Sequence, residues 1–343
     1  MSESLRLLWE TALELEQSID TLPGAEPLDA AEGRRFLLRM LAASVDTFVE
    51  HDDVDRPAFH HAESPIRKMF ADCPDTDYLR APLQVGGGRA YRLRGRIPEG
   101  TLYVGILLYG KGGRIGNRLT DAELALDAEG RFEVTIACEE QPGTWLKADG
   151  DETAVLVRQY FGDREQEAPL EVEIEYLGEP AAPAAVDPER LAARVGKSGR
   201  MLRAIFQRTR MAHQMASSVP PNTFLQVPGE QLFPTPDNRY SVAWFRLPEG
   251  GSLTMRGRLP EARYVSVTLY NAWLESLDYE RHRISLNHRQ IVCGPDGSFE
   301  LTLADGPAAG PNALDTAGHR QGYLLVRCLL LEGEMPEFEL VEA

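Results

Sequence analysis

Between Asn312 and His319 the chain sets an amide, a carboxylate, a hydroxyl and an imidazole within eight positions, its densest polar cluster. Gly310, Pro311, Gly318 and Gly322 bracket the run as a loop, and Tyr323-Leu324-Leu325-Val326-Arg327 reads as the strand that follows it. Polar groups on a loop held by a rigid sheet are placed to bind or to react. The chemistry they suit is proton transfer. Asp315 would orient or charge-stabilise His319, and an imidazole titrates near neutral pH. Asn312 would steady developing negative charge, and amides and hydroxyls such as Asn312 and Thr316 read the hydroxyls and carbonyls of a neutral ligand.

A comparison of the two halves of the chain widens this set. Asp75 and Asp237 stand 162 positions apart within Pro74–Tyr78 and Pro236–Tyr240, and so do Gly95 and Gly257 within Leu93–Pro98 and Met255–Pro260. Gly130–Val134 matches Gly297–Leu301, and Leu156–Arg158 matches Leu325–Arg327, with slightly larger offsets. Collinear matches of this kind imply an internal duplication. Residues needed for a shared core should agree between the copies, as Tyr78/Tyr240, Tyr103/Tyr264 and Phe132/Phe299 do. Chemistry need survive in one copy only. The second copy alone carries Asp315, Thr316 and His319, and it adds Arg263, Asn271 and Trp273 around the Tyr264–Tyr270 strand, Asn287, and Asn222 at the domain entrance. The candidate set is therefore His319 and Asp315 as catalytic groups, with Asn312, Thr316, Arg263, Asn271, Trp273, Tyr240, Asn287 and Asn222 as ligand-binding groups. Each also has a plainer reading: Asn222 and Asn287 satisfy loop backbone, Asp237 caps a turn, and Trp273 is core.

The elements that must position these groups follow from periodicity. Leu5, Leu8, Trp9, Ala12, Leu13 and Leu15 recur at helical spacing. Asp29 with Glu32 has the form of a capping box opening a second helix through Phe36, Leu37, Met40, Leu41, Val45 and Phe48. From Pro74 the period falls to two: Tyr91–Ile97 alternates apolar residues with three arginines, and the runs Leu102–Tyr109, Phe132–Ala137, Ala154–Phe161 and Leu170–Leu177 are β-type. Leu177–Ala185 reads as a linker, and Asp187-Pro188-Glu189 opens a basic helix toward Ser217, either docked on the acidic body or offering an anion-binding face. The expectation is an α+β, mainly β chain: two homologous antiparallel jelly-roll-like β-sandwich domains, each preceded by a helical segment. The boundaries are 1–73 helical segment, 74–178 first sandwich, 179–221 linker and basic helix, and 222–343 second sandwich carrying the site.

Composition narrows the partners. The 343 residues include 43% hydrophobic and 26% charged types, enough for a sizeable core, and the net charge of −17 with a pI near 4.9 opposes attraction to nucleic acid or an anionic membrane. A small-molecule ligand is expected, with no nucleic acid and no membrane, and a homodimer through the leading helices is one reading of their apolar stripe. No run approaches a membrane span and no leader is evident, so a cytoplasmic location is expected. Cys73, Cys138, Cys293 and Cys328 are scattered, as reduced buried thiols are. His51, His60 and His61 beside Asp52, Asp53 and Asp55 read as a charged loop more simply than as a metal site, and no metal or cofactor is expected.

Pro236–Tyr240, Arg263-Tyr264, Asn271-Ala272-Trp273 and Pro311–His319 resemble the bacterial family known as domain of unknown function 1214, often joined to its relative 1254. The resemblance covers most of the chain and is clearest after Asn222. It implies jelly-roll-type β-sandwiches with accompanying helices and brings no reaction with it. Similar proteins carry tryptophan where this chain has Ala313, while the first copy keeps the aromatic at Trp145. Two functions remain open at this point. One is an enzyme using acid–base chemistry on a small neutral or polyol-like substrate. The other is a non-catalytic binding or interaction module, favoured by the lack of a nucleophile elbow, a phosphate loop or a His-Glu-x-x-His motif.

Overall fold

The computed structural model describes residues 3–22, 24, 26–61, 63–182, 186–227, 235–307 and 309–342. Pro183, Ala184 and Ala185 of the expected linker lie outside them. Three helices are present among these: α1 (Glu3–Ile19), α2 (Pro27–Val45) and α3 (Pro188–Ala216). Helix α3 opens as its sequence dictates, with the Asp187 carboxylate accepting from the Glu189 and Arg190 amides, 2.9 and 3.3 Å. Three of its basic residues form internal ion pairs: Arg194 and Lys197 with Asp52, and Arg203 with Glu14. Helix α2 begins two residues before the expected cap. Asp29 sits inside its first turn and accepts from the Glu26 amide at 2.8 Å, so the Asp29–Glu32 capping box does not form and Glu32 is released for other work. On α1 the buried positions are Leu8, Leu15 and Ile19, whereas Trp9 and Leu13 are exposed.

The period-two segments form four sheets. The first half has β1 (His60–His61), β2 (Thr76–Pro82), β3 (Tyr91–Arg96), β4 (Tyr103–Gly110), β5 (Ile115–Thr120), β6 (Arg131–Ala137), β7 (Trp145–Lys147), β8 (Glu152–Tyr160) and β9 (Glu171–Tyr176). The second has β10 (Phe224–Val227), β11 (Asn238–Arg246), β12 (Leu253–Arg258), β13 (Tyr264–Tyr270), β14 (Ser285–Asn287), β15 (Ser298–Ala304), β16 (Ala313–Asp315), β17 (Gln321–Leu329) and β18 (Glu339–Glu342). The five-stranded sheets run β1-β2-β8-β4-β5 and β10-β11-β17-β13-β14, and the four-stranded sheets run β7-β6-β3-β9 and β16-β15-β12-β18. Element for element the two orders are the same. Each half departs from a purely antiparallel sandwich at one edge, where β6 and β7, or β15 and β16, pair in parallel.

Each half closes its own core. Alternate residues of both sheets meet in it: Leu93, Val104, Ile106, Val134, Ile136, Val155 and Val157 in the first, and Phe245, Met255, Val267, Leu301, Leu303, Leu324 and Val326 in the second. The chain divides into two compact units interleaved in sequence. One comprises residues 1–9, 41–64 and 75–200; the other comprises 10–40, 65–74 and 201–343. Most of α2 and the segment 65–74 thus belong with the second sandwich. No helix among the described residues is long and apolar enough to cross a membrane.

Candidate functional site

The second unit brings the predicted polar groups into two clusters. The first is built on β16, a three-residue edge strand whose Asp315 lies opposite Ala304 of β15. Ala317 (φ 50°) and Gly318 (φ 84°) then take left-handed conformations and turn the chain, which wraps backbone amides around the carboxylate. Asp315 Oδ1 accepts from the Ala317 amide at 2.8 Å and the Gly306 amide at 3.2 Å, and Oδ2 lies 2.8 Å from Nδ1 of His282. Burial alone would raise the Asp315 pKa; the His282 hydrogen bond and the two amides outweigh it and hold the carboxyl below its usual range. His282 in turn is fixed through its backbone, its amide donating to Asp278 O and its carbonyl accepting from Ile284. The neighbouring Arg283 carbonyl accepts from the Asp315 amide. The imidazole side chain is 37% exposed, against 7% for Asp315, and its Nε2 makes no hydrogen bond among the described residues.

This is the geometry of an oriented acid–base group. A buried carboxylate that accepts a hydrogen bond from Nδ1–H fixes the tautomer and leaves Nε2 as the basic nitrogen. The sequence reading places Asp315 beside His319; in the fold Asp315 serves His282, because the left-handed turn at Ala317 and Gly318 carries His319 away.

His319 belongs to the second, buried cluster. Its Nδ1 donates to the carbonyls of Thr316 and Ala317, 3.0 and 3.2 Å, and its Nε2 lies 3.0 Å from Glu32 Oε2. Nδ1 faces only carbonyl acceptors and Nε2 faces a carboxylate, an arrangement that favours the imidazolium. Burial would lower the His319 pKa, but Glu32 overrides it and the pKa is raised; Glu32, though buried, is lowered by the same partner and by Arg35. Beside the pair, Glu275 is completely buried, accepts from Arg39 Nη1 at 2.7 Å and from Asn271 Nδ2 at 3.0 Å, and is raised by that burial. Asn271 Oδ1 accepts from the amides of Trp273 and Glu275. Trp273 donates Nε1–H to the Asp29 carbonyl at 2.7 Å and stacks on Phe36 with ring centroids 5.6 Å apart. His319, Asn271 and Trp273 are therefore brought together, with every polar arm engaged by protein.

The remaining predicted residues are dispersed. Asn312 laces Val292 and Glu300 through three hydrogen bonds. Asn287 accepts from the Arg289 amide in its own turn, and Asn222, at φ 64°, pairs both amide atoms with the backbone of Arg246. Tyr240 lies under the buried guanidinium of Arg327, 5.2 Å from ring centroid to Cζ. Arg263 is half-buried and its amide donates to Leu329 O. Thr316 is fully buried, and no hydrogen-bond partner for its Oγ1 is found among the described residues.

Sequence reasoning missed His282, Glu32, Glu275 and Arg39, and it missed a further buried pair. Lys68 Nζ donates to the carbonyls of Ser276 and Leu277 and sits 4.3 Å over the Tyr279 ring. Asp72 accepts from the Ser276 amide and hydroxyl, 3.0 and 2.7 Å. Burial lowers the pKa of Lys68 and raises that of Asp72. Phe70, Ala71 and Leu274 hold left-handed φ angles of 55°, 54° and 59° there, a cost of order 1–3 kcal/mol per residue that the surrounding contacts must offset. No spacing in the sequence announces this pair, since its partners are backbone carbonyls some 200 residues away. An apolar recess in the same unit is lined by Ala212, Met215, Ala216, Leu225, Val242, Leu274 and Tyr323, whose hydroxyl lies 3.5 Å from His213 Nδ1.

Among the described residues the first unit offers no counterpart to the His282–Asp315 pair: Lys147 of β7 occupies the register position of Asp315, opposite Ala137. Comparison with known proteins adds shape without chemistry. No protein-family model matches the chain, and no curated protein matches it. Among solved structures, an uncharacterized protein from Burkholderia cenocepacia is similar over 99% of this chain and 96% of its own, with 25% identity and a TM-score of 0.91. The VPA0106 protein from Vibrio parahaemolyticus is similar over 98% and 100%, with 15% identity and a TM-score of 0.54. The paired-sandwich α+β fold is thus one that solved proteins share along their whole length.

Proposed function

We propose that the second sandwich is an acid–base enzyme for a small neutral, hydroxyl- or carbonyl-bearing substrate, with His282 as the proton-transfer group and Asp315 as the residue that positions it. The observation that carries this reading is the 2.8 Å Asp315–His282 bond between a buried, strongly anchored carboxylate and a part-exposed imidazole whose other nitrogen is open. His319 in this scheme is structural, because both its nitrogens are committed. The reading places the chain among proteins resembling domain of unknown function 1214 and treats the halves as products of internal duplication, supported by their common strand order.

The test compares wild type with His282→Gln and Asp315→Asn in a cell-extract metabolite mixture followed by mass spectrometry. Wild type should consume or form a metabolite, and His282→Gln should slow that turnover by about 10²-fold or more while keeping its circular dichroism, as loss of a general acid or base does. A fully active His282→Gln would overturn the assignment. A second reading rests on the apolar recess bordered by α3: a non-catalytic module that takes an apolar group there. A compound retained by the protein through desalting and released unchanged would favour it.

A further inference from the structure

We propose a transition-metal site in the first unit, formed by Asp46, His51 and His60, suited to a borderline divalent cation such as Zn²⁺. The sequence hides it. A histidine pair beside Asp52, Asp53 and Asp55 suggests that those carboxylates would be the ligands, yet Asp52 is held by Arg194 and Lys197, and Asp55 by Arg89. Asp46 replaces them because α2 ends in a π-helical turn, Asp46–Glu50, closed by the His51 amide donating to the Asp46 carbonyl at 2.9 Å. The widened turn brings residues five apart onto one face, a geometry an α-helix does not provide. His51 Nδ1 accordingly stands 3.0 Å from Asp46 Oδ1. His60, on the two-residue strand β1, is brought to the same place by pairing with Arg80 of β2, and its ring stacks on that of His51 at 4.1 Å.

Donor atoms of all three residues lie within 4.8 Å of one another. Tetrahedral zinc with bonds of 2.0–2.1 Å needs its donors about 3.3 Å apart, a distance Asp46 and His51 already meet. Splaying the stacked rings by rotation about their side-chain torsions would bring the third donor in. Two imidazoles and one carboxylate favour zinc, cobalt or nickel over magnesium or calcium. His60 is buried, whereas the side chains of His51 and Asp46 are 35% and 24% exposed, so ions have an approach from solvent. Arg80 stands opposite His60 and is turned over the Phe48 ring.

The experiment titrates chelator-treated, full-length protein with Zn²⁺ by calorimetry and with Co²⁺ by visible absorption. Wild type should bind one equivalent, and Co²⁺ should show the intense bands of a four- or five-coordinate site. His60→Ala and Asp46→Asn should bind at least tenfold more weakly, while His61→Ala, an exposed neighbour outside the cluster, should bind as wild type does. Because the variants could fold poorly, a measurement on wild type stands beside them: Zn²⁺ should protect His51 and His60 from acylation by diethyl pyrocarbonate, mapped by peptide mass. Absence of one-equivalent binding by wild type, variants that bind as it does, or acylation of both histidines unchanged by the metal would each overturn the site.

Discussion

Two histidines of the second unit, one bonded to the Asp315 carboxylate and the other four positions after Asp315 in sequence, illustrate how burial and partner count sort chemistry from structure. His282 has one engaged nitrogen and an exposed edge; His319 has both nitrogens engaged and almost no exposure. Removing His319 should therefore act on stability. His319→Ala leaves the buried Glu32 with Arg35 and Asn271 but without its imidazole, and breaking a buried ion pair in this way costs about 3–5 kcal/mol. The pH dependence has a defined sign. His319 binds its proton more tightly when folded, so its contribution is full below about pH 6.5 and is lost as pH rises through the higher folded value. Glu32 is more acidic when folded, so its contribution is present above about pH 4.3 and is lost as pH falls through the lower folded value. The melting-temperature gap between wild type and His319→Gln should be widest between those limits and shrink at alkaline pH. A gap that does not vary with pH would show that the pair is not ionised. The polar residues of this loop were legible in the sequence: Asp315, Thr316 and His319 are each buried, Asp315 and His319 in separate clusters. Their partners were not, because His282 and Glu32 are supplied by a distant loop and a helix, and spacing along a chain carries no information on such meetings.

At the scale of elements, helix α2 shows how one small residue sets a packing distance. A Cβ at Gly33 would come within 2.4 Å of the Trp273 indole and 2.7 Å of Ile19. In an exposed helix interior, glycine to alanine stabilises by roughly 0.5–1 kcal/mol. Here the sign should reverse. Overpacking against a fully buried ring that is already stacked on Phe36 and tied to Asp29 should cost about 1–3 kcal/mol, and Gly33→Ala should melt below wild type. A stabilised variant would mean that α2 can shift away from the indole freely. The same helix explains a failed expectation. Asp29 and Glu32 match a capping-box pattern, but Pro27 begins the helix and Asp29 instead anchors Gln321 Nε2 at 2.9 Å. Pro27 is itself a first-turn signal, and it outweighs the box.

For the molecule as a whole, the matched motifs fall on corresponding strands of the two halves. Leu156–Arg158 and Leu325–Arg327 fall on β8 and β17, the central strands of the two five-stranded sheets, and each carries a buried arginine, Arg158 and Arg327, opposite Tyr78 and Tyr240. Period two revealed strands such as β3 and β12, which bury one face, whereas β4, β13 and β17 read as continuous apolar runs because both their faces are covered; neither pattern could reveal the parallel edge pairs, which depend on where a three-residue strand returns. The interleaving of the units was equally hidden, since α2 offers one apolar face whichever partner receives it. The common strand order makes a prediction about local stability. Val155 and Val157 of β8 and Leu324 and Val326 of β17 are wholly buried and flanked on both sides by paired strands, so their amides should exchange only through the largest openings of each unit. The outer strands should differ between the halves. β5 is six residues with no buried position, whereas β14 buries Leu286 and Asn287 and is pinned by the Asn287–Gln290 turn. Hydrogen exchange followed by mass spectrometry should thus rank β8 and β17 slowest, β14 intermediate and β5 fastest. If β5 and β14 exchanged alike, the asymmetry between the halves would not extend from the site residues to the β14 edge, which follows the His282 loop in the chain.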